Sequence, residues 1–143
     1  MSLCGEFKHT VDAKNRLFIP AKHREQLGDT VMVVRDLENK CLLVYSLGEW
    51  EKYKENVLSK VPSSKRHDVN RFLFRNSLEA GYDSQGRILL SQPLCDHAEL
   101  GKGTAMIVGC GDYDEIWNEE NYEKKIESED AYALSGLIRE YDR

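Results

Sequence analysis

An internal repeat constrains the fold of this chain more than any other feature of its sequence. Residues 10–20, TVDAKNRLFIP, recur 71 positions later as residues 81–91, GYDSQGRILLS. Both copies share an apolar residue, an aspartate, two variable positions, Asn or Gly, an arginine and three apolar residues. Each copy continues, in the same order, through a polar segment, two short apolar runs and a segment that opens a helix. This order of matched features predicts two copies of one structural unit.

The residue types predict that one unit consists of a strand, a loop, a strand, a short helix, two strands and a helix. Asn15 and Gly86 occupy the same position, and because these residue types enter positive φ most easily, they mark a tight loop between strands. Pro20 suits the first turn of the short helix, and Gly28 and Gly101 suit its C-terminal stop in the two copies. Since four short strands leave exposed edges and a small core, the two units are expected to pair.

Three longer helices are predicted outside these loops. Ser46, followed three residues later by Glu49, forms a capping-box pattern that opens a helix through about residue 58. A second helix covers roughly residues 64–74. The segment 128–142 is predicted to be a weakly amphipathic helix.

The charge of the chain is segregated along the sequence. The formal net charge of −5 is unfavourable for contact with phosphates, which need Lys and Arg. Between residues 112 and 130 there are nine acidic residues against two lysines, whereas residues 8–24 hold five basic residues and two histidines against Asp12 alone. Residues 65–75 form a second basic cluster. This distribution permits a basic face on an acidic protein.

Composition argues for a soluble globular chain, with 41% hydrophobic and 31% charged residues. No apolar run approaches the ~20 residues that span a bilayer, and no signal peptide is recognisable. The four cysteines form no C-x-x-C pair and have no paired histidine spacing, so neither a disulfide framework nor a metal site is expected. They are Cys4, Cys41, Cys95 and Cys110.

The two repeat-related aspartates make an enzyme one class of function to consider, because such a pair is typical of proteases in which a carboxylate dyad shares a proton. That chemistry needs a small hydroxyl residue and a glycine directly after each aspartate. Asp12-Ala13 and Asp83-Ser84 do not supply this pattern, and an arginine beside each carboxylate would keep it ionised. We therefore expect no enzyme, no catalytic residue and no cofactor.

The two loops carry a family resemblance. The Asp-x-x-[Asn/Gly]-Arg loop with its three apolar residues resembles the AbrB/SpoVT-type swapped-hairpin DNA-binding domain. Two such loops in one chain are similar to the MraZ family of bacterial transcriptional regulators, over nearly all of residues 5–122. The segment 12–24, DAKNRLFIPAKHR, matches closely. The second copy departs from the pattern, with Ser91 where the family usually has proline and no lysine between Asp83 and Arg87.

The resemblance implies an α+β fold in which two pseudo-symmetric swapped-hairpin β units, residues 5–48 and 77–120, share a core with flanking helices. It implies a sequence-specific DNA-binding regulator of the bacterial division and cell-wall gene cluster, acting at direct repeats in promoter DNA. The expected assembly is a ring-shaped homo-oligomer in the cytoplasm, associated with the nucleoid and not with a membrane. The alternative is a protein-binding scaffold or antitoxin-like partner with the same fold.

Candidate DNA-contacting residues lie in and beside the two loops. Arg16 and Arg87 either contact DNA, pair with the aspartate of their own loop, or do both, and we expect the DNA contact because an exposed ion pair alone adds only ~0–1 kcal/mol. Lys14 is expected to contact phosphate near the first loop tip. Lys22 and Arg24 on the short helix either contact phosphate or belong to a solvated face. A second set is expected to structure the loops, since carboxylates near phosphate are repelled but can cap loop N–H groups. This set is Asp12, Asn15, Asp83 and Gly86.

Overall fold

A computed structural model describes residues 2–101 and 103–142 of the chain. The first unit contains β1 (Glu6–Thr10), β2 (Arg16–Phe18), α1 (Ala21–Leu27), β3 (Thr30–Arg35), β4 (Cys41–Ser46) and α2 (Leu47–Ser59). A 3₁₀ turn (Ser63–Lys65) and α3 (Arg66–Arg75) lead to the second unit. That unit contains β5 (Ser77–Gly81), β6 (Arg87–Leu89), α4 (Gln92–His97), β7 (Thr104–Gly109), β8 (Tyr113–Asn118) and α5 (Glu119–Glu127), and α6 (Ala131–Tyr141) follows it.

The large sheet has the strand order β1-β7-β8-β4-β3-β5, and all its pairs are antiparallel. The order is symmetric, because the strands at equal distances from the two edges are equivalent strands of the two units. Strand β1 of the first unit pairs with β7 of the second, and β5 of the second pairs with β3 of the first. Strands β4 and β8 pair at the centre, where a pseudo-two-fold axis relates the units. Each unit therefore covers a sheet edge of the other, and the predicted α+β fold of two pseudo-symmetric swapped units is confirmed.

A second, two-stranded sheet joins the two repeat loops. In this ribbon β2 pairs with β6, with Leu17 opposite Ile88. Both of these side chains are fully buried in the core that the ribbon shares with the large sheet. Because burial of one such side chain contributes about 1.5–3 kcal/mol, the pair anchors the ribbon to the body of the protein.

The opposite face of the large sheet carries a second apolar cluster beneath α2 and α5. Trp50 of α2 and Trp117 of β8 are both buried there. The Ser46 hydroxyl accepts a hydrogen bond from the Glu49 N–H at 3.2 Å, which confirms the predicted start of α2. None of the described helices is both long enough and apolar enough to cross a bilayer.

Two details of the short helices correct the sequence predictions. Pro20 precedes α1 as its N-cap residue instead of lying in its first turn. Gly28 ends α1 with a φ of +87°, as predicted, but Gly101 does not end α4. Glu99 adopts the left-handed conformation instead, with a φ of +54°. Glu99 is the true repeat equivalent of Gly28, because the second copy has additional residues between α4 and β7.

Candidate nucleic-acid interface

The first repeat loop is ordered by one carboxylate. Asp12 Oδ1 accepts hydrogen bonds from the N–H groups of Lys14 and Arg16, both at 2.9 Å, and Oδ2 accepts one from Arg16 Nε at 2.7 Å. Asn15 adopts a φ of +61° at the tight point, as the sequence predicted. The hydrogen bond from the Arg16 N–H, supported by the Arg16 guanidinium, lowers the pKa of Asp12 to about 2. The loop is thus held by an ionised aspartate.

The second repeat loop has the same construction. Asp83 Oδ1 accepts from the N–H groups of Gln85 at 2.9 Å and Arg87 at 3.0 Å, and Oδ2 accepts from Arg87 Nε at 2.8 Å. Gly86 adopts a φ of +79°. The hydrogen bond from the Arg87 N–H likewise lowers the pKa of Asp83. In each loop the aspartate accepts the hydrogen bond from Nε of its arginine, which leaves the two terminal guanidinium nitrogens outside this hydrogen bond.

The ribbon holds the two loops side by side. The Ile19 N–H donates to the Gly86 carbonyl at 3.1 Å, and the Leu90 N–H donates to the Asn15 carbonyl at 2.8 Å. Arg87 Nη1 also lies 3.6 Å from Asp12 Oδ2, so an ion pair crosses between the loops. Residues 71 positions apart in the sequence therefore form one continuous surface.

The outer face of the ribbon presents both arginines. Since side chains alternate along a strand, the buried Leu17 and Ile88 face inward, and the four flanking side chains face outward. These are Arg16, Phe18, Arg87 and Leu89. The arginine side chains are 34% and 25% exposed, and Leu89 is 60% exposed. We did not single out Phe18 and Leu89 from the sequence, although the alternation in RLF and RIL would have placed them on this face.

The remaining candidate residues have different surroundings. Lys14 and Lys22 are exposed, and within the described part of the chain neither forms a salt bridge. Arg24 is partly buried, because its Nε donates to the Ile19 carbonyl at 2.9 Å and its guanidinium lies 5.2 Å from the centre of the Phe18 ring. A Cβ atom on Gly86 would lie 2.6 Å from Arg24 Cζ. Arg24 therefore packs between the two loops and supports both.

From the sequence we predicted no metal site in the chain, and in the loops both carboxylates are engaged by arginines. A cluster with metal-ligating side chains lies elsewhere, on the face of the large sheet opposite the ribbon. It consists of Asp36, Cys41 and Glu115.

Comparison with known proteins identifies the family of the chain. The family model described as "MraZ protein, putative antitoxin-like" matches residues 3–72 and again residues 73–135. A "Transcriptional regulator MraZ" from Pediococcus pentosaceus is 42% identical over 125 residues, covering 86% of this chain and 85% of the relative. The protein of that name from Clostridium acetobutylicum is 39% identical over 140 residues, covering 95% and 96%. This chain belongs to the MraZ family.

The two matches to the MraZ family model divide the chain within α3, between the two structural units. Each match contains one loop, one ribbon strand and one hairpin of the large sheet. Relatives in this family are named regulators of transcription, which confirms the prediction that the chain is not an enzyme.

Proposed function

We propose that this MraZ-family chain is a sequence-specific DNA-binding transcriptional regulator whose ribbon and two loops form the DNA-contacting surface. One observation carries the proposal: the two repeat arginines lie on the same outer face of a β-ribbon, each oriented by its own aspartate. A two-stranded ribbon fits the major groove, where arginine pairs with guanine through two hydrogen bonds. The name shared by the relatives supports a role in transcription.

The residues of the surface divide by task. Arg16 and Arg87 are proposed to contact base edges, and Lys14 and Lys22 to contact phosphates on either side of the ribbon. Arg24 holds the loops together through its contacts with Phe18 and the Ile19 carbonyl, and it is proposed as a further phosphate contact. The loop-structuring residues fix the backbone so that these side chains are oriented before DNA arrives. They are Asp12, Asn15, Asp83 and Gly86.

The proposed DNA is promoter DNA of the bacterial division and cell-wall gene cluster, with short direct repeats. The proposed DNA-binding repeats comprise residues 5–48 and 77–120. A regulator of this kind acts in the cytoplasm, in association with the nucleoid. The family resemblance supports these proposals.

A homo-oligomer, most simply a closed ring, is proposed because one acidic subunit with a small basic surface would bind DNA weakly. Two surfaces suit a head-to-tail contact between copies, which closes into a ring when its rotation allows. Helix α6 exposes five large apolar side chains, and it follows the acidic helix α5. Helix α3 is basic and exposes Phe72 and Phe74. Opposite charge and apolar contact would both favour packing of α3 against α5 and α6 of the next copy.

The test is a binding titration with DNA from upstream of the protein's own gene, on probes with one, two and three direct repeats. We expect affinity to rise steeply with repeat number, by up to ~10²–10⁴ over single-site affinity, and the salt dependence to steepen in parallel. Sedimentation of the free protein should show an oligomer. Equal affinity for one and three repeats would contradict the multivalent mechanism, and no specific binding to any promoter probe would contradict the proposed function.

The alternative function, a protein-binding or antitoxin-like partner, is favoured by the exposed apolar face of α6 and by the description of the family. The double substitution Leu137→Glu with Ile138→Glu separates the two proposals. If copies meet at α6, the variant becomes smaller in sedimentation and loses the gain from multiple DNA repeats. If α6 binds another protein, the variant keeps its oligomeric state and its DNA affinity.

A further inference from the structure

A thiol and two carboxylates meet on the face of the large sheet opposite the ribbon. Asp36 directly follows β3, Cys41 begins β4 and Glu115 lies in β8. The ligand atoms of these three side chains all lie within 4.8 Å of one another. The Cys41 thiol donates to Asp36 Oδ2 at 3.6 Å. Cys41 is completely buried, whereas both carboxylates reach the surface in part.

Two features of the fold bring these residues together, the β3–β4 turn and the pairing of β4 with β8. The Asp36 N–H donates to the Cys41 carbonyl at 3.0 Å, which closes the β3–β4 turn and places the two residues side by side. In the pairing of β4 with β8, Cys41 lies opposite Trp117 and Leu43 lies opposite Glu115, so Cys41 and Glu115 are diagonal neighbours on one face. The site therefore joins the central strands of the two units.

Neighbouring groups orient both carboxylates. Asn39 Nδ2 donates to Asp36 Oδ2 at 2.9 Å, and Trp117 Nε1 donates to Glu115 Oε1 at 3.0 Å. Hydrogen bonds of this kind hold metal-ligating side chains in place in known sites. Each carboxylate keeps further oxygen lone pairs for a ligand.

The charge of the cluster is uncompensated within residues 2–101 and 103–142, where no lysine or arginine forms a salt bridge with Asp36 or Glu115. Burial, with added repulsion from Glu115 and Asp36, raises the pKa of the Cys41 thiol well above its ordinary value. A bound cation would reverse both effects, because it would neutralise the carboxylates and favour the thiolate.

We propose that Asp36, Cys41 and Glu115 form a binding site for a thiophilic divalent cation, with Zn²⁺ as the expected ion. One sulfur and two oxygens are donors that Zn²⁺ accepts, and three protein ligands leave a fourth position to water. Binding requires the donor atoms to close to tetrahedral spacing, which rotation of the two partly exposed carboxylates supplies. The ion would tie the β3–β4 turn to β8 and so join the two units on the face away from DNA.

The test uses the full-length, reduced protein after treatment with a chelator. Titration with Co²⁺, a spectroscopic substitute for Zn²⁺, should produce a sulfur-to-metal charge-transfer band that saturates at one Co²⁺ per chain. Added Zn²⁺ should then abolish the band by displacing Co²⁺. Calorimetry of Zn²⁺ binding in two buffers should show proton release as the thiol ionises. Excess Zn²⁺ should raise the unfolding temperature of the wild type.

Matched variants locate the site. Cys41→Ala should remove the charge-transfer band, whereas Cys95→Ala, which truncates another buried thiol, should retain it. Asp36→Asn and Glu115→Gln keep the shape of partly exposed side chains, so they should stay folded, as circular dichroism would verify. Each should weaken Zn²⁺ affinity by at least about tenfold, since even outer-shell partners contribute that much. Absence of the band in the wild type, its persistence in Cys41→Ala, or unchanged affinity in both carboxylate variants would overturn the proposal.

Discussion

The two units of this MraZ-family chain share a backbone plan but differ in the chemistry placed on it. On the ribbon face of the first unit, the ring centres of His9 and Phe18 are 4.9 Å apart, and Arg24 Cζ lies 5.2 Å from the centre of the Phe18 ring. The repeat-equivalent residues of the second unit are Ala80, Leu89 and Cys95. Lys14 and Lys22 correspond to Gln85 and Pro93. Duplication thus preserved the loop aspartates and arginines, while basic charge is concentrated in the first unit.

A second difference lies in the core. Nδ1 of His23 is 2.8 Å from both carboxylate oxygens of Asp114, and its Nε2 is 2.9 Å from the Cys4 carbonyl. Both side chains are almost completely buried, and burial raises the pKa of Asp114, an effect that His23 opposes. The symmetry-related positions of the other half hold Leu94 and Leu42, also buried. The same packing position therefore accepts either a polar pair or two leucines.

The largest expected effect comes from breaking the polar pair. His23→Leu leaves Asp114 buried without its partner and should lower the free energy of unfolding by about 3–5 kcal/mol, and Asp114→Leu should have a similar effect. The double variant reproduces the leucine pair of the other half and should be less destabilised than either single variant. Urea unfolding at neutral pH measures all three.

The control for this series is Lys22→Leu, an exposed change on the same helix, which should stay within about 0.5 kcal/mol of the wild type. If the double variant lost as much stability as the two single variants combined, the two halves would not be interchangeable at this position.

The sequence was sufficient for features that depend on local residue types. Asn15 and Gly86 were predicted at positive φ because few other residues adopt it readily, Gly28 was predicted to end α1, and the Ser46 cap was recognisable from its spacing to Glu49. The pairing of the two units was predicted from the repeat, but individual side-chain contacts between distant segments were not. His23 and Asp114 meet only because α1 of one unit packs against β8 of the other.

The error at Gly101 has a specific cause. Equivalent residues are 71 positions apart up to α4, but β3 and β7 are 74 positions apart. The Leu-Gly pairs of the two copies therefore look equivalent although additional residues intervene. The cluster of Asp36, Cys41 and Glu115 was not predicted for a related reason, since Glu115 is far from the other two residues in the sequence and only the β4–β8 pairing brings it near them.

A smaller difference in stability is expected between substitutions at the tips of the two loops. Gly86→Ala requires a left-handed alanine, at a cost of about 1–2 kcal/mol, and its Cβ would also collide with the Arg24 guanidinium. Asn15→Gly, at the equivalent position, should change stability by less than about 1 kcal/mol, because glycine adopts this φ without strain. Thermal unfolding of both variants checks this difference.

Removing the colliding side chain provides the control. Gly86→Ala should cost less stability in an Arg24→Ala background than in the wild type. An equal cost in both backgrounds would mean that backbone strain alone accounts for the loss and that Arg24 does not pack against the second loop.

The smallest effect is the response of the loops to acid, which should be alike in the two units. Because hydrogen bonds lower the folded-state pKa of Asp12 from 3.8 to about 2, its ionised form stabilises the fold above pH 3.8 and this contribution is lost as the pH falls through about 2. Asp83 shifts in the same direction. NMR titration of the two carboxyl groups should show both midpoints below 3.8, and a midpoint at or above this value would contradict the loop geometry.

The most direct test of the central claim is a set of DNA titrations with Arg16→Ala, Arg87→Ala and Arg66→Ala on one promoter probe that carries a single repeat, so that contacts between copies through α3 do not enter the comparison. Loss of a bidentate base contact costs about 1–3 kcal/mol, or roughly 5–150-fold in affinity. We expect Arg16→Ala to cause the greatest loss, Arg87→Ala a smaller one because fewer basic residues surround it, and Arg66→Ala on α3 almost none. Equal losses in all three folded variants would show that the ribbon is not the DNA-contacting surface, and a larger loss in Arg87→Ala would show that the second unit dominates recognition.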